Sequence, residues 1–99
     1  TDATGGSDHA WGGHMLVAGG KVRGKRIYGT FPNLTINGGI DCSGNRGRWI
    51  PSTSVDQYAA VISKWFGLNS GQISAVFPNL YRFTDPFTPG AKLDFVNYA

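Results

Sequence analysis

Cysteine is almost absent. Cys42 is the only one in 99 residues, so the chain can close no internal disulfide and can build no cysteine cluster around a metal. It lies in a glycine-rich stretch with no helix start to lower the pKa of its thiol, which argues against a nucleophilic cysteine. Glutamate is missing altogether, and the acids are six aspartates: Asp2, Asp8, Asp41, Asp56, Asp85 and Asp94. Any paired-carboxylate chemistry would have to come from these six. No apolar run is long enough to span a membrane, and no signal peptide opens the chain, as a processed mature chain would also read. There is no glycine loop leading to Lys-Ser/Thr for cradling phosphates, and Ser7, Asp8 and His9 are too close in sequence to make a triad.

What is present in quantity is glycine, at 15 residues, beside 40% hydrophobic and 13% aromatic residues. That mixture predicts a packed but loop-rich single domain over residues 1–99, near the lower size limit for a self-sufficient core. The net charge is +3, and its one dense basic run is Lys21-Val22-Arg23-Gly24-Lys25-Arg26. No recognition motif accompanies that run, so it reads as the solvated tip of a hairpin and nucleic acid is not an expected partner.

Along the chain, His14–Ala18 is a short apolar run closed by Gly19-Gly20, of a length that suits a buried strand. Arg26–Gly29 would be its hairpin partner across the basic turn. The tetrapeptide Phe31-Pro32-Asn33-Leu34 recurs at Phe77-Pro78-Asn79-Leu80, and each copy reads as a turn. Asn33-Leu34-Thr35 matches the N-glycosylation acceptor pattern. Residues 37–47, rich in glycine, read as a surface loop.

The strongest helix signal runs over about 54–66. Ser54 and Gln57 form a capping box, and Val55, Tyr58, Ala59, Ile62, Trp65 and Phe66 recur at helical spacing before Gly67. A shorter helix is predicted over about 70–77, ended by Pro78. The tail, 81–99, is expected to be extended and docked through Phe83, Phe87, Leu93, Phe95 and Tyr98. The sum is an α+β fold with a short hairpin or sheet and two helices.

Both histidines fall in Ser7-Asp8-His9-Ala10-Trp11-Gly12-Gly13-His14. A carboxylate and two imidazoles around a flexible Gly-Gly could supply ligands to one divalent metal. The competing reading is a solvated glycine-rich loop.

Three phrases taken in order carry a resemblance: Ser7 to His14, then Gly24-Lys25-Arg26-Ile27-Tyr28-Gly29-Thr30-Phe31-Pro32, then Arg46-Gly47-Arg48-Trp49-Ile50-Pro51-Ser52-Thr53-Ser54-Val55-Asp56-Gln57-Tyr58-Ala59. Together they resemble the C-terminal third of a bacterial family of exported, uncharacterised sulfatase-like proteins in the alkaline-phosphatase superfamily. The likeness implies a piece of an α/β sandwich, a periplasmic or extracellular location, and a metal-dependent hydrolase of phosphate or sulfate esters. By that likeness Asp8 and His9 match a metal-binding Asp-His pair, and His14 is the candidate for a later ligand of zinc, manganese or calcium. Trp11, Arg46, Arg48 and Trp49 would line the substrate. The nucleophile and first metal-binding Asp of such enzymes lie near the start of a much longer chain, so this one resembles a fragment that lacks an N-terminal portion.

Two other functions stay open at this point. Trp11 and Trp49 could stack on sugar rings, giving a polysaccharide-binding or glycoside-hydrolysing module. Alternatively, the chain is a structural half-domain that folds against a partner chain or as a homo-oligomer, its strands lacking sheet neighbours.

Overall fold

Helix forms where the sequence supplies both an apolar stripe and a cap. In the computed structural model, which describes residues 4–7, 9–42, 44 and 46–99, α1 spans Val55–Phe66 and α2 spans Ser70–Val76. The Ser54 hydroxyl accepts from the Gln57 amide at 3.1 Å, and the Gln57 side chain accepts from the Ser54 amide at 3.0 Å, closing the box. Asn69 and Gln72 repeat the device on α2, with both bonds at 2.9 Å. Gly67 ends α1 at φ 118°, a left-handed turn that L side chains rarely adopt, and its amide reaches back to Ser63 and Lys64. After α2, Leu80–Arg82 makes one 3-10 turn.

The expected α+β fold is not what forms. Among the described residues there is no sheet, only two isolated antiparallel bridges, Val22 with Val96 and Asp41 with Trp49. The physical reason lies in the tail. Arg23 donates its amide to Phe95 at 2.8 Å and Asn97 donates to Lys21 at 2.7 Å, so residues 21–23, which would have formed the hairpin's turn, are held against the tail instead. The Gly24 amide meanwhile turns back onto the Val22 carbonyl, and Lys25 sits at φ 59°. The segments 14–18 and 25–29 are left with no backbone hydrogen bond to the described residues. Leu16 and Ile27 are almost wholly exposed.

The chain divides into two compact units. The first, Thr1–Met15 with Phe31–Ser52, contributes none of the buried hydrophobic residues among those described. The second, Leu16–Thr30 with Thr53–Ala99, holds all six: Ala60, Val61, Ile73, Leu93, Phe95 and Val96. Its centre is Phe95, with the rings of Tyr28 and Tyr58 each 5.9 Å away. The tail is docked as expected through Phe87, Leu93 and Phe95, but it is folded into turns rather than extended, and Phe83 is left exposed.

The apolar stripe of α1 is also only partly used. The buried residues of α1, Ala60 and Val61, lie outside the stripe read from the sequence; of that stripe Tyr58, Ala59 and Ile62 are half-buried, whereas Val55, Trp65 and Phe66 stand exposed at 76%, 56% and 78%. Helical spacing places these three on an apolar face, yet none of the described residues covers them. Among the described residues no helix is long and apolar enough to cross a membrane.

Candidate functional site

The stretch singled out for metal chemistry lies in the first unit. Asp8 falls outside the described residues, so the Asp-His pair is represented by His9, which is exposed. His14 is exposed as well, with its ring stacked on Phe31 at 5.0 Å and nearly parallel to it. The stack covers one face of the imidazole and leaves its nitrogens at the ring edge. Among the described residues no three His, Cys or Asp side chains come together where an ion could be held. Of the three proposed ligands the described residues include two, His9 and His14, whereas zinc sites use three or more.

The expected substrate residues are placed apart in character. Trp11 is 58% exposed. Trp49 is half-buried: its indole N–H donates to the Thr35 carbonyl at 3.4 Å, and its ring lies against Gly47. A ring held in this way is poorly placed to stack on a sugar. Arg46 is exposed and Arg48 half-buried.

What organises 37–47 is Asp41, which no sequence motif marks. One of its oxygens accepts from the Asn37 amide at 2.9 Å and the Gly47 amide at 3.1 Å, and the other accepts from the Arg48 amide at 3.2 Å. Beside it Cys42 donates to Arg48 and Ile50 donates to Ile40, each at 3.0 Å. The segment read as the least structured in the sequence is thus a hydrogen-bonded loop around one carboxylate. Its donors are backbone amides, so side-chain patterns could not reveal it.

The second unit contains a groove that the sequence reading did not identify. About 390 Å³ in volume, it is lined by residues 17–22, by Ile62 and Trp65 of α1, and by Phe95 and Val96 of the tail. A neighbouring hollow of about 420 Å³ shares Lys21 and Trp65 and adds Lys64, Leu68 and Tyr98. The Lys21 ammonium donates to the Ala99 backbone oxygen at 2.5 Å. The Lys64 ammonium sits over the rings of Tyr98, at 4.3 Å, and Phe87, at 5.0 Å. Gly19-Gly20 after an apolar run, together with a Trp on the helix face, was the signal available for this groove.

The Tyr98 hydroxyl donates to the Val61 carbonyl at 3.2 Å. Burial, and secondarily the Asp94 carboxylate, raise its pKa above the ordinary 10.0. The sulfatase-like resemblance rests on its three phrases alone, because no protein family, curated protein or solved structure matches the chain.

Proposed function

We propose that the chain is a structural half-domain whose role is assembly: it completes its fold by docking onto a separate, acidic polypeptide. The observation that carries this reading is the imbalance of its apolar side chains. Among the described residues six hydrophobic ones are buried, while fifteen large ones are exposed, among them positions that the sequence pattern assigns to a core. Monomeric proteins seldom expose apolar surface on this scale unless something binds there.

Charge supports an unlike partner over a second copy. The second unit carries seven basic residues against Asp56, Asp85 and Asp94. Two such surfaces brought together would repel, whereas an acidic surface would be attracted. Ester hydrolysis is less well supported, since His9 and His14 gain no third described ligand. Glycan stacking keeps only Trp11 of its two expected tryptophans.

Calorimetry of the isolated chain tests the reading. A complete domain of this length absorbs about 70 kcal/mol on unfolding near 60 °C. The half-domain is expected to show a broad transition with less than about half that enthalpy. A sharp transition of the full size, in a protein that light scattering shows to be monomeric, would overturn it.

A further inference from the structure

We infer that the groove beside Trp65 is where this partner seats: an extended acidic segment adds alongside Leu16–Ala18 and places one apolar side chain against Trp65 and Phe95. The inference rests on the half-domain reading and assigns its partner a chemistry and a binding mode.

The backbone is prepared for strand addition. No backbone N–H or C=O of Leu16, Val17 or Ala18 is bonded to a described residue, so both edges of the main chain are open. The Gly20 amide is likewise unused, and a side chain built at Gly20 would meet nothing within 4 Å, so a second strand can approach closely. Main-chain pairing gives such a mode its affinity and an alternate-residue pocket gives its specificity.

The pocket is present. Phe95 and Val96 are 3% and 4% exposed and form part of the core, so an anchor in the groove would rest directly on the packed centre. Trp65, 56% exposed, lines the same groove, and tryptophan beside apolar residues is a common energetic centre of interfaces. The groove volume lies at the lower end of the 300–1,000 Å³ or so typical of ligand sites, which suits a side chain or two.

The charge of the lining selects the partner. Lys21 borders both the groove and the hollow, Lys64 lines the hollow, and no aspartate lines either. Lys21 spends one N–H on the Ala99 oxygen and keeps two for a carboxylate. The occupant is therefore a strand-forming segment with an aromatic or branched aliphatic anchor and aspartate or glutamate beside it.

NMR titration of the whole chain tests the assignment, with two end-blocked heptapeptides as probes, Asp-Val-Thr-Phe-Thr-Val-Asp and its counterpart with lysine at both ends. The acidic peptide is expected to shift the Gly19 and Gly20 amides and the Trp65 indole, and to bind at least about tenfold tighter than the lysine peptide. Lys21→Glu should reverse that preference, and Trp65→Ala should abolish binding, while the α2 amides of both variants stay where they are. Absence of shifts with about 1 mM acidic peptide, equal binding of both peptides, or shifts produced only by phosphatidylglycerol vesicles would each overturn it. So would a concentration-dependent dimer that the peptide fails to compete. Hydrogen exchange separates the two readings. Protected Leu16–Ala18 amides in the free chain overturn the half-domain itself; unprotected amides without peptide shifts overturn the groove alone.

Discussion

The Asp41 carboxylate draws three backbone amides onto its two oxygens, and this is how a loop without buried hydrophobic residues keeps a shape. Hydrogen bonds to a charged acceptor are each worth about 1.5–3 kcal/mol, and leaving the amides unpaired forfeits part of that. Asp41→Ala is expected to raise the hydrogen-exchange rates of the Asn37, Gly47 and Arg48 amides by about tenfold or more, a loss of at least about 1.4 kcal/mol locally. Gly47 has its own constraint. Its φ is 75°, and a Cβ there would lie 3.1 Å from the Trp49 ring, so Gly47→Ala should destabilise the same loop even though it removes no hydrogen bond. Tyr98 sets a pH dependence in the other unit. Its folded pKa is raised, so the neutral phenol stabilises the fold below about pH 10, and that contribution is lost as pH rises through the folded value. Denaturant titrations at about pH 9 and about pH 11 should show a larger drop for the native chain than for Tyr98→Phe.

At the scale of elements, α1 depends on contacts local in sequence and on one that is not. Ser54→Ala removes the cap acceptor and is expected to cost about 1 kcal/mol, read as a lowered denaturation midpoint. Gln57 does more than close the box. Its side-chain amide also donates to the Thr84 carbonyl at 2.8 Å, tying α1 to the tail. Gln57→Glu keeps the capping acceptor but sets a carboxylate against that carbonyl, so the helix should persist while the Thr84 segment loosens, visible as faster exchange around 84–87. The capping boxes were legible in the sequence because Ser54 and Gln57, or Asn69 and Gln72, lie three residues apart and need no other part of the chain. The missing hairpin was not legible. Val22 pairs with Val96, 74 residues later, and alternation within 14–29 carries no information about that competitor. The Asp8–His14 motif was legible as a cluster of ligand types, but convergence on one point is a property of the folded backbone. The described residues do not bring it about.

For the molecule as a whole, side chains assigned to one helix face divide into those that meet the tail and those that meet solvent. Val61 is 1% exposed, and Val61→Ala deletes the equivalent of two methylenes from the core, a loss of about 2 kcal/mol. Trp65→Ala, at a position that helical spacing, unlike that of Val61, assigned to the apolar face, is expected to cost the isolated chain well under 1 kcal/mol by chemical denaturation. The contrast between the two substitutions measures how much of the apolar surface the chain itself covers. The unpaired run from His14 to Ala18 has a further consequence, for the handling of the protein. It is uncharged apart from what His14 carries, contains no proline and offers both edges of its backbone, features shared with segments that nucleate cross-β fibrils. Stored concentrated and alone, the chain is expected to develop thioflavin-positive aggregates over days. A single gatekeeper charge, Leu16→Lys, on a side chain that touches no core, should slow their growth while leaving the folded spectrum unchanged.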